Sequence, residues 1–257
     1  MSEIQLHLGD CLEVMKGIPD KSIDMILCDL PYGTTQNKKD KRIDLKALWK
    51  EYRRIIKDNG CIVLFAQGKF YIDLAMSNYK WFRYDLIWDK KLTSGFLNAK
   101  RMPMRRHEQV AIFYKKPPVY NPQFTKGQPL HSKGTKYKTK AQTNNNYGKY
   151  GAPANDRAGS TDKYPTSILE VAKPHPSKAQ HSTEKPVALC EWLIKTYTNK
   201  GMTVLDNCMG SGSAGVAARN TDRNFIGIDK DPESFNTAKE RIEVRYSEQQ
   251  RIQDIFN

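Results

Sequence analysis

The sequence predicts an α/β protein built on a mostly parallel sheet with helices on both faces. Short apolar runs alternate with segments of helical periodicity, which is the pattern of such a sheet. A chain of 257 residues with 39% hydrophobic content is long enough to bury one sizeable core. A basic stretch near the middle interrupts the alternation. We therefore expect one α/β domain that carries an insertion.

Seven strands are predicted from the short apolar runs. They are Ile4–Leu8, Asp24–Cys28, Cys61–Phe65, Tyr84–Trp88, Gln109–Tyr114, Thr203–Asp206 and Phe225–Asp229. Helices are predicted over Cys11–Lys16, Val187–Tyr197, Ser213–Asn220 and Pro232–Tyr246. The clearest amphipathic pattern runs from Leu45 to Ile56, and we expect that helix to stop at the turn residues Asp58, Asn59 and Gly60.

Residues 115–180 are predicted to form the insertion, between a first half at 1–114 and a second half at 181–257. Lysines and tyrosines are interleaved there, and the net charge of the chain is +14, which favours a polyanionic partner. A solvated linker is equally compatible with this composition. The residues expected to contact nucleic acid are Arg101, Arg105, Lys126, Lys133, Lys136, Lys138 and Tyr147.

A glycine-rich loop joins the predicted strand at Thr203–Asp206 to a predicted helix. Its glycines at 210, 212 and 215 fit G-x-G-x-x-G, which alone is a weak sign of a nucleotide-type cofactor. Asp229 ends the next strand, from where a carboxylate reaches ribose hydroxyls. Asp206 would repel a pyrophosphate but attract the ammonium group of S-adenosylmethionine, which favours that cofactor over NAD. The alternative is a glycine turn that only packs a helix on a strand.

A second loop follows the predicted strand Asp24–Cys28 and reads Asp29, Leu30, Pro31, Tyr32. Pro31 fixes its own φ and restricts Leu30, which holds the Leu30 carbonyl in place. That carbonyl and the Asp29 carboxylate would accept both hydrogens of an exocyclic amine and aim its lone pair at a sulfonium methyl. Tyr32 would stack on a base flipped out of a duplex. Taken alone, the tetrapeptide is as readily a solvent-facing turn.

Together these motifs make the chain resemble the β class of amino-methylating DNA methyltransferases, in which the catalytic motif precedes the cofactor loop. The segments that carry the resemblance are Leu8–Cys11, Asp29–Gly33, Arg106–Glu108, His181–Pro186, Asp206–Gly212 and Ile226–Asp229. The resemblance implies a Rossmann-like S-adenosylmethionine-dependent methyltransferase fold with a seven-stranded sheet and a circularly permuted motif order. It also implies that the basic insertion is the target-recognition region.

The resemblance further implies roles for individual residues. Asp10 would contact the adenine of S-adenosylmethionine, and His181–Pro186 would help to hold the methionine carboxylate. The expected cofactor-binding residues are Asp10, Cys11, Asp29, His181, Ser182, Thr183, Lys185, Asp206, Asn207, Met209, Gly210, Ser211, Gly212, Asp229 and Lys230. The expected catalytic residues are Asp29, Leu30, Pro31 and Tyr32.

The expected reaction is therefore methylation of adenine N6 in double-stranded DNA, since the cytosine-N4 enzymes of the family more often carry serine in place of Asp29. Cytosine N4, an RNA base or a protein amide are the alternative acceptors. Leu30 and Asn207-Cys208 depart from the family's usual Pro and Pro-Phe. These departures leave open a nucleic-acid-binding protein with an inactive cofactor pocket.

The chain shows no N-terminal signal pattern and no long apolar run, and its five cysteines are scattered without metal-like spacing. We expect a cytoplasmic protein of prokaryotic or phage origin, without membrane attachment or a metal site. The expectation of a homodimer rests on the resemblance alone.

Overall fold

The strands and helices follow the predicted alternation in the computed structural model, which describes residues 2–34, 40–129, 142–144, 148–150, 159–173 and 184–243. The strands are β1 (Ile4–Leu8), β2 (Ile23–Cys28), β3 (Ile56–Ala66), β4 (Phe82–Ser94), β5 (Arg105–Phe113), β6 (Thr125–Lys126), β7 (Gln142–Asn144), β8 (Gly148–Tyr150), β9 (Asp162–Lys163), β10 (Ile168–Glu170), β11 (Thr203–Asp206) and β12 (Asn224–Asp229). The helices are α1 (Cys11–Met15), α2 (Leu45–Ile55), α3 (Gly68–Ser77), α4 (Val187–Tyr197), α5 (Ser213–Asn220) and α6 (residues 232–243), with a 3₁₀ turn at Phe96–Asn98.

One sheet of eight strands has the order β1-β12-β11-β2-β3-β5-β4-β10, and only β5 runs antiparallel to its neighbours. All seven predicted strands are present in it, so the predicted mostly parallel sheet is confirmed. The eighth strand, β10, was not predicted. It has three residues and pairs with the outer side of β4, and so short a run carries no readable periodicity.

Both faces of the sheet are covered, because successive residues of a strand point to opposite sides. Met25 and Leu27 of β2 join a core cluster with α4, α5 and α6, whereas Ile26 and Cys28 join a second cluster with α1, α2 and α3. This explains why the central strands read as continuous apolar runs rather than as alternating ones. No helix in the described ranges is long and apolar enough to span a membrane.

One local expectation was wrong, and one helix was not predicted. The helix that was expected to reach residues 58–60 ends at Ile55, and β3 begins at once. The pairing of β2 with β3 then jumps from Ile56 to Cys61, so the intervening residues form an irregularity within the strand instead of a turn. Helix α3 was missed because Ile72 and Met76 are exposed, so its apolar residues do not form one clean stripe.

The chain divides into two compact units, one of Met1–Asn121 with Ser167–Asn257 and one of Pro122–Thr166. The second unit falls inside the predicted insertion 115–180 and is narrower than it. Within this unit β6 pairs with β9 and β7 pairs with β8, both antiparallel. The rings of Phe124 and Tyr164 lie 4.8 Å apart there.

Candidate active site

The two loops predicted from the sequence lie side by side at one edge of the sheet. Asp29 directly follows β2 and Asp206 ends β11, and these strands are paired in parallel. The chain leaves β2 toward β3 on one side and leaves β11 toward β12 on the other. Such a switch point opens a crevice beyond the carboxyl ends of the strands, which is where α/β proteins bind ligands.

A cavity of about 380 Å³ occupies this crevice. Small-molecule sites commonly enclose about 300–1,000 Å³. Phe65 of β3, Trp88 of β4 and Glu108 of β5 also contribute to its wall. The predicted site residues that line it are Asp10, Cys11, Asp29, Leu30, Pro31, Tyr32, Lys185, Asp206, Asn207, Met209, Gly210, Ser211, Asp229 and Lys230.

The glycine loop is shaped by two backbone requirements. Gly212 precedes α5 with a φ of 78°, and a Cβ atom there would lie 2.9 Å from the Cβ of Ala238 in α6. Gly210 has a φ of 50°, and its amide donates a 2.8 Å hydrogen bond to Oδ2 of Asp229. The other carboxylate oxygen of Asp229 accepts from the backbone amide of Asp231 at 2.9 Å. The loop is thereby fixed to the end of β12.

Asp10 follows strand β1, which pairs with β12, and it lies near Asp229 at the cavity. Leu8 pairs with Asp229 in the parallel ladder, and the chain then turns into α1. Oδ1 of Asp10 accepts a 2.9 Å hydrogen bond from the amide of Leu12 and so caps that helix. The capping bond orients the Asp10 carboxylate at the rim of the cavity, next to the end of β12.

Asp206 is a buried carboxyl group without an ion-pair partner among the described residues. Its side chain is only 5% exposed, and in the described part of the chain no basic group forms an ion pair with it. Burial raises the pKa of Asp206 to about 7, and the nearby Asp29 and Asp229 add to the rise. The backbone amide of Cys208 and the thiol of Cys28 donate hydrogen bonds to Asp206, and these bonds partly offset the rise in its pKa. A ligand that brings an ammonium group would satisfy this carboxylate.

The other half of the cavity holds a compact charge network. Nζ of Lys185 lies 2.5 Å from Oδ2 of Asp29 and 3.3 Å from Oε2 of Glu108. The Tyr32 hydroxyl donates to Oδ1 of Asp29 at 2.9 Å. Lys90 approaches Oε1 of Glu108 at 3.4 Å. Asp29 thus has a partner on each carboxylate oxygen.

Aromatic rings surround the Lys185 ammonium. It lies 5.1 Å from the ring centre of Phe65, 5.9 Å from that of Trp88 and 6.0 Å from that of Tyr32. The Tyr32 ring itself stacks on Phe70 with centres 5.1 Å apart. One face of Tyr32 is therefore occupied by protein.

The two departures from the family pattern have structural partners. Leu30 is 3% exposed and packs in the core cluster that includes α2 and α3, so its side chain anchors the loop by burial. Asn207 is 1% exposed, and its Oδ1 accepts a 2.5 Å hydrogen bond from Tyr52 of α2. Both positions are well packed.

The remaining predicted residues lie apart from the cavity or outside the described residues. Arg101 is exposed on the connection from β4 to β5, and Arg105 is the half-buried first residue of β5. Lys126 is exposed in β6 and pairs with Asp162. The residues outside the described ranges are Lys133, Lys136, Lys138, Tyr147, His181, Ser182 and Thr183.

Glu108 is a residue of the cavity wall for which the sequence suggested no role. It shares a face of β5 with Val110 and Ile112, which belong to one core cluster. A carboxylate at an inward position of a buried strand is the signal that identifies it, because such a charge needs partners. Lys185, expected to contact the cofactor, lines the cavity, and its ion pairs within the described residues are with Asp29 and Glu108.

Comparison with known proteins agrees with this geometry. Residues 23–240 match the N6/N4 methyltransferase family, described as DNA methylase. The chain belongs to this family. As an N6/N4 DNA methyltransferase it uses S-adenosylmethionine, and the uncompensated Asp206 carboxylate and the open glycine loop fit that cofactor. The Asp206 loop, the Asp229 carboxylate and Asp10 line the cavity and could hold it.

The sequence similarity of this methyltransferase to its relatives covers most of the chain. It is 26% identical over 263 residues to the Type II methyltransferase M.HpaI of Haemophilus parainfluenzae, covering 95% of this chain and 75% of the relative. It is 28% identical over 268 residues to the Type II methyltransferase M.HinfI of Haemophilus influenzae, covering 91% and 67%.

Solved structures show the same fold. The M1.HpyAVI–SAM complex is 26% identical, with a TM-score of 0.63 over 93% of this chain and 98% of that one. The cytosine-N4-specific PvuII DNA methyltransferase has a TM-score of 0.67 at 16% identity, over 94% of this chain and 86% of that one. At that identity the second likeness speaks for the fold and leaves the target base open.

Proposed function

We propose that this DNA methyltransferase methylates N6 of adenine in duplex DNA. The observation that carries an amine as the acceptor is the position of the Asp29 carboxylate, which lines the cavity shared with the cofactor loop and is held by Lys185 and Tyr32. The choice of adenine rests on the residue type, since the cytosine-N4 enzymes of the family more often carry serine in place of Asp29. An exocyclic amine carries two hydrogens and needs two acceptors. Asp29 and the carbonyl of Leu30 supply them from consecutive positions of one anchored loop.

The chain's own residues orient the amine. The buried side chain of Leu30 anchors the residue that carries the carbonyl. Tyr32 stacks on Phe70 through one ring face, and stacking on a base is the role proposed for its other face. S-adenosylmethionine, held by Asp10, Asp206 and Asp229, would supply an electrophilic methyl group for the amine nitrogen. Two acceptors aimed at the amine make its lone pair available to that methyl group.

Duplex DNA is the proposed substrate because the chain carries a net charge of +14 and exposes Arg101 beyond β4. The amine of a paired adenine is engaged in the duplex, so the base must leave the stack to reach a cavity at the sheet edge. We assign recognition of the target sequence to Pro122–Thr166 and its neighbours within residues 115–180. The homodimer implied by the family resemblance remains a prediction for sedimentation analysis.

The test is to transfer labelled methyl groups from S-adenosylmethionine to genomic DNA and to identify the nucleoside after digestion. We expect N6-methyladenine. Recovery of N4-methylcytosine would leave the family assignment intact and overturn the adenine proposal. RNA and single-stranded DNA serve as competing substrates, and preferential methylation of either would overturn the duplex assignment.

The role of Asp29 is tested with Asp29→Ala, which removes one acceptor and the charge. Loss of a positioned transition-state partner costs about 10²- to 10³-fold in rate, while cofactor binding should survive. Asp222→Asn is a matched control, because Asp222 is an exposed acid paired with Lys200. Full activity of the Asp29→Ala protein would remove Asp29 from the mechanism.

A further inference from the structure

Lys185 is the only basic side chain that contacts Asp29 in the described residues, and its environment is unusual for a lysine. Its side chain is 11% exposed. Three aromatic rings and two carboxylates surround the ammonium group, as described above. Burial acts to lower the pKa of Lys185, but Asp29 and Glu108 outweigh burial and raise it. The group is therefore a fixed positive charge behind the catalytic loop.

The positive charge of Lys185 favours the ionised form of Asp29, which burial disfavours. Burial raises the pKa of Asp29, and Glu108 adds to the rise, whereas Lys185 and the Tyr32 hydroxyl act to lower it. A protonated Asp29 would present a donor, or a weaker acceptor, to an amine that needs an acceptor. Beyond the effect of burial, Lys185 and Glu108 therefore act in opposite directions on how much of Asp29 is ionised at a given pH.

Glu108 competes with Asp29 for Lys185. Its Oε2 lies 3.3 Å from Nζ of Lys185, and Oε2 also lies 3.5 Å from the Tyr32 hydroxyl. Burial acts to raise the pKa of Glu108, but Lys185 and Lys90 together outweigh burial and lower it. Glu108 is thus ionised as well, and it contacts the same ammonium group and the same hydroxyl as Asp29.

We propose that Lys185 and Glu108 are positioning residues of opposite effect on the catalytic loop: Lys185 keeps the Asp29 carboxylate ionised and in place, and Glu108 restrains that effect. The inference rests on the proposed catalytic role of Asp29. The charged groups around Asp29 are Glu108 from β5, Lys173 after β10, Lys185 before α4 and Asp206 from β11. The Tyr32 hydroxyl is an uncharged donor from the same loop, and Lys90 from β4 faces Glu108.

The experiment measures single-turnover methyl transfer against pH, with DNA and S-adenosylmethionine both saturating so that Asp206 stays paired. Lys185→Met should move the acidic limb of the profile upward by one pH unit or more, and the rate below that limb should fall about tenfold per unit. Glu108→Gln should move the same limb downward. Opposite shifts are not expected from general damage to the fold. Lys195→Met, an exposed lysine paired with Glu191, is the matched control and should leave the profile unchanged.

Three outcomes overturn the proposal. One is that Lys185→Met weakens cofactor binding and leaves the saturated profile in place, which would make Lys185 a cofactor ligand. Another is that both variants move the limb in the same direction, and the third is that neither moves it. Lys185→Arg keeps the charge and should recover much of the rate. If Lys185→Met fails to fold, Lys185→Arg and Glu108→Gln together test the proposal. Wild-type protein that methylates no DNA would instead contradict the proposed function itself.

Discussion

The hydroxyl of Tyr52 donates a 2.5 Å hydrogen bond to Oδ1 of Asn207 and so joins α2 to the cofactor loop. Both side chains are buried. Burial raises the pKa of Tyr52 well above its ordinary value, which keeps the hydroxyl protonated as a donor. Asn207 stands where the family usually has proline, whose ring would stiffen the loop. Here the Tyr52 bond supplies that restraint.

Tyr52→Phe should therefore destabilise the protein and loosen the cofactor loop. A buried acceptor left without its donor costs about 1–3 kcal/mol, which lowers the melting temperature by about 2–4 °C per kcal/mol in a domain of this size. Cofactor affinity, measured by calorimetric titration, should fall as well. Tyr84→Phe is the matched control, since Tyr84 bonds to the hydroxyl of Tyr197 away from the loop. Equal cofactor affinity in the two variants would contradict the role given to Tyr52.

The pH dependence of cofactor binding follows from Asp206. Its pKa of about 7 in the unliganded protein lies above the ordinary aspartate value of 3.8 because of burial. The folded state then binds a proton more readily than the unfolded chain, so the stability due to this proton declines as pH rises from about 4 to about 7. The ionised form is the one that attracts an ammonium group.

We expect cofactor affinity to fall about tenfold for each pH unit below 7 and to level off above it. Binding at pH 6 should release a proton, which calorimetry in two buffers of different ionisation enthalpy measures. Asp206→Asn should bind weakly and without this pH dependence. If the wild type binds equally well at pH 6 and pH 8 and releases no proton, Asp206 is not the partner of the ammonium group.

The sheet was largely predictable from the sequence because its central strands are buried on both faces. Runs such as Met25–Cys28 are apolar throughout, and turn residues delimit many of them. Strand β10 and helix α3 were not predicted because each carries exposed as well as buried apolar residues. Ile168 is 54% exposed and Ile72 is 60% exposed, and neither pattern separates a buried face from a solvated one.

The parts of the site that consist of consecutive residues could be predicted from the sequence. Asp29–Tyr32 and the Asp206–Gly212 loop each follow a strand, so their positions follow from the parallel sheet. The contact of Lys185 with Glu108 joins residues 77 positions apart, and that of Tyr52 with Asn207 spans 155. Such pairs depend on how helices pack across the sheet, which local periodicity does not encode.

Gly212 offers a test of the cofactor cradle against a matched glycine. Gly212 and Gly201 have φ values of 78° and 77°, so alanine meets the same backbone strain at both. At Gly201 no atom lies within 4 Å of the added Cβ, whereas at Gly212 the Cβ and Cα of Ala238 lie 2.9 and 3.0 Å away. Gly201→Ala should cost about 1–2 kcal/mol and leave cofactor affinity unchanged.

Gly212→Ala should cost more than Gly201→Ala, because α5 and α6 must also move apart, and that movement displaces the loop that carries Asp206. Denaturant unfolding gives the difference in stability, and calorimetric titration gives the difference in affinity. We expect at least a tenfold weaker cofactor complex for Gly212→Ala, or about 1.4 kcal/mol. Equal stability and equal affinity in the two variants would mean that α6 yields without disturbing the loop, and that close packing at Gly212 does not shape the cofactor site.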